Sequence, residues 1–188
     1  MGKSTAAQMF RDLGVPVFDA DAAVHSLMDQ NGEAVDAVEQ RFPGVTRAGT
    51  VDRAALGKRV FGDAEALKAL EVILHPLVRR REKQFMAGAH RRRASVVVLD
   101  IPLLFETGGQ RRCDLTVVVS APAFLQKMRA LKRSGMTPER LNAVLAKQMP
   151  DAEKRRRADH VVPTGLGKGY TRRCIAAIVA AARKHGRG

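Results

Sequence analysis

The sequence predicts an α/β fold with a parallel sheet, and three observations support this prediction. Strand-like segments alternate with helical segments along most of the 188 residues. This alternation is typical of a parallel sheet covered by helices. The apolar runs VVVLDIPLL (96–104) and LTVVVS (115–120) fit strands that are buried on both faces. Aromatic residues make up only 4% of the chain, so the core should be aliphatic.

The first half of the chain is predicted to be mainly helical around one short strand at 15–18. Helical spacing and capping residues give four segments, at about 3–13, 21–29, 33–41 and 53–60. Asp52 can cap the last of these, and Asp63 can cap a fifth helix that begins near residue 64. We expect that fifth helix to be interrupted near Pro76, because proline removes a helical hydrogen bond. Residues 43–51 are predicted to form a loop.

In the second half, strands and helices alternate more regularly. Strands are predicted at 95–100, 115–120 and 161–162. Pro122 suits the first turn of a helix that reaches about residue 134, and Thr137 can cap the helix that begins at Pro138. A final helix is predicted over 169–185. No repeat or Gly/Pro/Ser-rich linker divides the chain, so a single domain over 1–188 is expected.

The chain is strongly basic, with 33 Lys and Arg against 19 Asp and Glu and a net charge of +14. Such a charge favours polyanionic partners, which include both nucleotides and nucleic acids. A solvated basic surface explains the arginine runs equally well. No apolar run reaches the roughly 20 residues that span a bilayer, and the first residues do not resemble a signal peptide. Two scattered cysteines fit free thiols, so a cytoplasmic location without membrane partners is expected.

Phosphate chemistry is indicated at the N-terminus, where Gly2-Lys3-Ser4-Thr5 leads into the first predicted helix. Gly-Lys-Ser/Thr at this place is the end of a phosphate-binding loop. Glycine lets backbone N–H groups approach phosphate oxygens, lysine neutralises phosphate charge, and the hydroxyl after it binds Mg²⁺. Only the last four motif residues follow Met1. The interpretation is that this chain begins partway through the loop, without the strand that precedes it.

Carboxylates follow two of the predicted strands. Asp19 and Asp21 come after the strand at 15–18, and Asp100 ends the strand at 95–100. Ligands of open α/β sheets bind at this edge, where a carboxylate can deprotonate a hydroxyl or hold Mg²⁺ through water. The alternative for Asp19 and Asp21 is that they cap a helix.

Three further positions have both a functional and an ordinary interpretation. His75 before Pro76 is either a ligand-binding pair or a surface feature. Arg129 and Arg133 are four residues apart and share a helix face. They either reach a transferring phosphate or form an ordinary basic surface.

Together, these segments resemble the dephospho-CoA kinase family over essentially the whole chain. The matching stretches, in chain order, are GKSTAAQMFRDLGVPVFDADAAVH (2–25), ILHPLV (73–78), DIPLLFETG (100–108), VVVSAP (117–122) with Gln126, Arg129 and Arg133, and GMTPERLNAVLAKQMPDAEKRRRAD (135–159). His160 and Pro163 depart from the family pattern, in which an apolar and an acidic residue are usual.

The resemblance implies a P-loop NTPase three-layer fold with strand order 2-3-1-4-5, in which strand 1 is absent from this chain. It also implies a helical substrate region at about 30–90 and a lid at about 134–158. The implied reaction is Mg²⁺-dependent transfer of the γ-phosphoryl group of ATP to the ribose 3′-hydroxyl of dephospho-CoA.

The resemblance also assigns residue roles. Asp21 is the base, and Arg133 stabilises the transferring charge. Phosphate is bound by Gly2, Lys3, Ser4 and Thr5; Mg²⁺ by Ser4 and, through water, Asp100; and dephospho-CoA by Asp19, His75, Pro76, Leu103 and Leu104. Two alternatives are another small P-loop kinase and, in a different class, a basic nucleic-acid-binding protein without catalysis. Oligomeric state is not indicated.

Overall fold

The computed structural model describes residues 2–132, 135–146 and 148–185. The chain divides into two compact units. The α/β unit is formed by Met1–Val17 together with Ala94–Gly188, and the helical unit is formed by Phe18–Arg93. The predictions of a single domain, of a substrate region at 30–90 and of a lid remain predictions.

The α/β unit is discontinuous in sequence. Its elements are α1 (Lys3–Asp12), the first residue of β1 (Val17–Asp19), β4 (Val98–Asp100), a short 3-10 helix (Gly109–Arg112), β5 (Val117–Ser120), α6 (Ala123–Leu131), α7 (Pro138–Ala146), α8 (Asp151–Arg157), β6 (His160–Pro163) and α9 (Lys168–His185). The helical unit contains α2 (Ala20–Met28), α3 (Val35–Arg41), β2 (Thr46–Arg47), β3 (Thr50–Val51), α4 (Arg53–Val60) and α5 (Ala64–Arg91).

The strands of the α/β unit form two pairs. β1 and β4 are neighbours in one sheet, and the N–H of Val98 donates to the carbonyl of Pro16 at 2.9 Å. β5 and β6 are parallel, with Val117 opposite His160 and Ser120 opposite Pro163. In the predicted order these pairs are strands 2-3 and 4-5. The α/β class with parallel strands is therefore confirmed, while the order across all five strands stays a prediction.

The core of the α/β unit is aliphatic, as the composition predicted. The amphipathic face of α1 is buried against β6 and α9, in a cluster of Ala6, Met9, Phe10, Val15, Val162, Ile175 and Val179. The predicted end of α1 is confirmed, because Gly14 has a φ of 73°, which glycine adopts without a steric penalty. Partly buried residues of β4 and β5 pack against the same cluster.

A hydrogen-bonded clamp sets the start of the β5–β6 pair. The carboxylate Oδ2 of Asp159 accepts from both the N–H and the hydroxyl of Thr116, each at 2.7 Å. Thr116 is buried, so these contacts satisfy polar groups that water does not reach. They hold the pKa of Asp159 below its ordinary value of 3.8.

The helical unit has its own apolar core, to which Leu27, Val38, Phe42, Val45, Leu56, Leu70 and Leu74 contribute. The rings of Phe18 and Phe85 are 5.5 Å apart. Asp52 accepts from the N–H groups of Ala54 and Ala55, and Asp63 accepts from that of Ala66. Both predicted caps are therefore confirmed.

Residues 43–51 contain more order than the predicted loop. β2 and β3 pair antiparallel, with Thr46 opposite Val51. The turn between them uses left-handed backbone at Ala48 and Gly49, with φ of 48° and 77°. Glu39 accepts from the N–H of Gly44 and from both the N–H and the hydroxyl of Thr46. Strands of two residues are too short to show a period of two, so the sequence pattern missed them.

The predicted interruption of α5 at Pro76 is wrong, because α5 runs unbroken from Ala64 to Arg91. Proline removes the donor that would bond the carbonyl of Val72, but the exposed Val72 lies where water can hydrate that carbonyl. Leu70 and Leu74 before the proline and Leu77 after it all pack on the core of the unit. Packing on both sides of Pro76 therefore outweighs the lost hydrogen bond. None of the helices in the described part of the chain is long and apolar enough to span a membrane.

Candidate active site

The start of α1 is shaped for close approach of an anion. Gly2 precedes the helix with a φ of 96°, a conformation that costs other residues steric strain. A Cβ at this position would lie 3.0 Å from the methyl carbon of Thr164. Gly2 also provides no side-chain cap, so the helix N-terminus presents backbone N–H groups to an incoming ligand. Glycine is thus required here for both conformation and space.

The structure brings together two of the predicted site residues, Lys3 and Asp100. Lys3 Nζ lies 2.9 Å from Asp100 Oδ1. Asp100 ends β4 and its side chain is only 9% exposed, whereas that of Lys3 is 40% exposed. A nearly buried carboxylate is held by an ammonium group that still faces solvent. Ser4 and Thr5 lie in the first turn of α1, next to this pair, and are exposed.

The turn that follows Asp100 is tightly held and locally strained. Leu103 has a φ of 54°, which costs a non-glycine residue about 1–2 kcal/mol, and its side chain is 40% exposed. Its carbonyl accepts from both the N–H and the hydroxyl of Thr107 at 3.0 Å. The N–H of Gly109 donates to the carbonyl of Leu104 at 2.8 Å, and a Cβ at Gly109 would lie 2.9 Å from Leu104 Cδ1.

Glu106 in this turn contacts the residues around the start of α8. Its Oε1 accepts from the N–H of Met149 at 2.8 Å and lies 2.9 Å from Lys154 Nζ. Burial acts to raise the pKa of Glu106, but the hydrogen bonds from Lys154 and Met149 outweigh it and hold the pKa below 4.5. Asp151 at the start of α8 accepts from the hydroxyl of Ser120 at 2.7 Å. Glu106 lies in the DIPLLFETG segment on which the family resemblance rests, but no neighbouring residue in the sequence indicated its partners.

In the helical unit, Asp19 caps α2, as its alternative interpretation predicted. Its Oδ1 accepts from the N–H of Ala22 at 2.9 Å. Asp21 lies in the first turn of α2 with an exposed side chain, so it does not occupy the cap position itself. His75 and Pro76 are exposed in the middle of α5. The functional roles assigned to these four residues remain predictions.

Of the two arginines that the sequence predicted on one helix face, Arg129 binds protein groups. Its Nη2 donates to the carbonyl of Thr164 at 3.0 Å and its Nη1 to the hydroxyl of Thr164 at 3.4 Å. Thr164 in turn donates its N–H to the carbonyl of Ser120 at 2.7 Å. Arg129 therefore supports the residue that contacts Gly2. Arg133 lies outside the described residues.

The oxygen donors of Ser4 and Asp100 are of the kind that fits a magnesium ion held together with a nucleotide. Among the described residues, no three His, Cys, Asp or Glu side chains cluster as a metal site. Mg²⁺ does not require such a cluster, because it keeps several waters and binds one or two carboxylates plus substrate phosphates. A hydroxyl at the start of α1 and a strand-end carboxylate supply the hard oxygen donors that this coordination uses.

Lys3 follows a left-handed glycine at the start of a helix and pairs with Asp100 at the end of β4. This arrangement places the chain among the P-loop enzymes. Comparison with known proteins narrows this class. The family model described as Dephospho-CoA kinase matches residues 1–166. The chain belongs to the dephospho-CoA kinase family.

Individual relatives agree. The dephospho-CoA kinase of Paramagnetospirillum magneticum is 66% identical over 155 residues, which cover 82% of this chain and 73% of that protein. The one from Rhodospirillum rubrum is 55% identical over 184 residues, which cover 97% and 87%. A crystal structure from Thermus thermophilus superposes with a TM-score of 0.81 at 38% identity, covering 96% of this chain and 91% of that one. A Campylobacter jejuni dephospho-CoA kinase, with a TM-score of 0.65, 24% identity and coverage of 97% and 92%, shares the fold.

Proposed function

We propose that this chain transfers the γ-phosphoryl group of ATP to the ribose 3′-hydroxyl of dephospho-CoA, giving coenzyme A and ADP. The observation that carries the proposal is the Lys3–Asp100 ion pair at the start of α1, in a chain of the dephospho-CoA kinase family. The name of the family supplies the acceptor. The ion pair supplies a phosphate-binding cation and a carboxylate at the edge of a sheet, where P-loop enzymes bind nucleotides.

Phosphate binding is assigned to the first turn of α1. Backbone N–H groups that follow Gly2 point along the helix axis toward an anion, and the helix dipole adds partial positive charge there. Lys3 is half-exposed, so its ammonium group is accessible to a phosphate oxygen while Asp100 orients it. Thr5 contributes from the same turn. These groups stabilise the charge on the phosphates by position alone, without forming a covalent bond.

Magnesium is assigned to the hydroxyl of Ser4 and, through water, to the carboxylate of Asp100. When bound, the ion would neutralise charge on the β- and γ-phosphates. Asp100 suits this role because it is nearly buried and is held by its ion pair with Lys3.

In the transfer step, the acceptor oxygen forms a bond to the γ-phosphorus while the bond from that phosphorus to the β,γ-bridging oxygen breaks. The hydroxyl proton goes to Asp21, which we assign as general base because the family resemblance gives it this role and its side chain is exposed. Arg133 is assigned to the charge on the transferring group. Asp19, His75, Pro76, Leu103 and Leu104 are assigned to the acceptor, and the exposure of His75, Pro76 and Leu103 supports their part.

The proposal is tested with a panel of phosphate acceptors and Mg²⁺-ATP, followed by ADP release and by mass measurement of the product. Dephospho-CoA should gain one phosphoryl group, whereas adenosine, AMP, pantetheine and other small alcohols should not react at a comparable rate. Lys3→Met should abolish most of the turnover. Faster phosphorylation of another acceptor would support a different small P-loop kinase, and nucleic-acid binding without ADP release would support the non-catalytic alternative. A cytoplasmic location is part of the same proposal.

A further inference from the structure

The turn between Asp100 and the 3-10 helix carries two local energetic costs that packing alone does not explain. Leu103 adopts a left-handed backbone, although its side chain is partly exposed and fills no core position. Oε2 of Glu106 is buried, yet among the described residues no hydrogen-bond donor reaches it. Strained backbone and unsatisfied buried polar atoms concentrate at functional positions, where the surrounding structure maintains them. The turn is therefore a candidate for a role beyond closing the chain.

Both polar contacts of Glu106 are made by Oε1 and involve residues around the start of α8. Oε1 accepts from the backbone of Met149 and from the ammonium group of Lys154. Met149 directly precedes Pro150, and Lys154 lies in the first turn of α8. The carbonyl of Pro150 accepts from the N–H groups of Glu153 and Lys154 where α8 begins. Glu106 thus binds the chain both just before α8 and in the first turn of α8. The side chains of Glu106 and Lys154 are only 16% and 20% exposed, so solvent screens this pair weakly.

A second contact holds the same helix start to the end of β5, because Ser120 donates to Asp151. The start of α8 is therefore held at the ends of two strands, one of which carries Asp100. Of these two contacts, only the one from Glu106 leads back to the turn next to the Lys3–Asp100 pair.

We infer that Glu106 is a positioning residue for the phosphoryl transfer, which fixes the start of α8 to the turn that directly follows Asp100. This inference rests on the proposed function for its kinetic consequence but not for its structural one. Among the described residues, the hydrogen bonds and the ion pair of Glu106 go to Met149 and Lys154 and not to residues assigned to phosphate or to the acceptor. It acts through the turn on Asp100 and through Met149 and Lys154 on α8.

The kinetic test compares Glu106→Gln, Lys154→Met, the double variant and Lys154→Arg. Removing a group that orients a metal-binding side chain typically changes activity 10–100-fold. We expect each single loss to lower kcat per folded molecule about 10-fold, with KM for ATP and dephospho-CoA shifted less than about threefold. The double variant should lose no more than either single variant, because the two residues act as one unit. Lys154→Arg keeps the cation and should retain at least half of kcat.

The matched control is Glu153→Gln. Glu153 pairs with Arg157 within α8 and makes no contact with the turn among the described residues. Its kcat should stay within about twofold of the parent. The inference is overturned if Glu106→Gln and Lys154→Met keep more than half of kcat, if they act through KM alone, or if the control loses as much. Should Glu106→Gln fail to fold, the comparison of Lys154→Met with Lys154→Arg decides.

Hydrogen exchange at the amide of Met149 tests the anchor without any activity. Glu106→Ala should speed this exchange at least about 10-fold, and Glu153→Gln should leave it unchanged. An unchanged Met149 rate in Glu106→Ala would overturn the inference even in an active enzyme. If the parent protein does not phosphorylate dephospho-CoA, the proposed function fails, and the exchange experiment still decides whether Glu106 holds α8.

Discussion

The two units differ in where their carboxylates find the backbone N–H groups that they accept. In the helical unit, the carboxylates that accept backbone N–H groups do so within their own segment, as Asp52 and Asp63 do at helix starts and Glu39 does at the β2–β3 hairpin. In the α/β unit, Asp159 and Glu106 each accept from a residue 43 positions away. Local acceptors shape one element, whereas distant ones join elements. The α/β unit therefore depends on polar contacts for the assembly of its strand ends.

The largest expected effect concerns the one aspartate of the helical unit to which we assign chemistry. Asp21→Asn should lower kcat by about 10²–10⁴-fold, the usual contribution of a general base. The melting temperature should change little, because Asp19 and not Asp21 caps α2. Steady-state kinetics on dephospho-CoA measures the effect, and Asp19→Asn, which keeps a capping oxygen, gives a comparison for the cap. A variant that retains more than half of kcat would remove Asp21 from this role.

The next effect separates distant from local acceptors directly. Asp159→Ala leaves two buried donors of Thr116 without their acceptor, which should cost about 1–3 kcal/mol of unfolding free energy. Asp63→Ala removes one helix cap and should cost about 0.5–2 kcal/mol. Urea denaturation followed by circular dichroism measures both. A larger loss from Asp63→Ala would show that local capping, and not the clamp on β5 and β6, dominates.

Acid should weaken the contacts of Asp159 and Glu106. Their folded pKa values lie below the ordinary values of 3.8 and 4.5, so each group releases its proton more readily in the folded state. Their stabilisation is complete above those ordinary values and is lost as the pH falls through the lower folded values. As the pH is lowered below about 4.5, the urea concentration at the unfolding midpoint of the parent should therefore decrease. In Asp159→Ala this decrease should be less steep. Equal slopes would exclude Asp159 as a contributor.

The smallest effect is expected at the C-terminal end of α5. Replacing Arg91, Arg92 and Arg93 by Gln should leave kcat within about twofold, because this run is exposed and is assigned no role in the reaction. Losing cations near a helix C-terminus should change stability by about 1 kcal/mol or less. Arg133→Ala is the comparison and should depress turnover. Equal losses in the two proteins would mean that the basic run takes part in binding.

The features that could be predicted from the sequence are those that depend on local contacts. The caps at Asp52 and Asp63 and the apolar face of α1 were predictable, because each depends on neighbours three or four residues away. The resemblance also indicated Lys3 and Asp100 as site residues, which the structure brings together. The Glu106–Met149 contact was not predictable, since its partners meet only after the strands and helices between them have taken their places.

Two features of the helical unit were not predicted correctly from the sequence pattern. Pro76 was expected to interrupt α5 because proline removes a helical hydrogen bond, yet apolar residues on both sides of it pack on one core. The β2–β3 hairpin was missed for the opposite reason, because its two-residue strands carry no periodic signal. In both cases tertiary contacts decided what local propensity left open.

The discontinuous α/β unit also has a consequence for synthesis on the ribosome. The helical unit, Phe18–Arg93, is continuous, so all of its core residues have left the exit tunnel soon after α5 is made. The buried face of α1 packs on Ile175 and Val179 of α9, which are translated long after α1. Until α9 has been made, Met9 and Phe10 of α1 therefore lack the residues that cover them in the folded protein. A nascent chain stalled before α9 would expose that apolar face to chaperones and proteases.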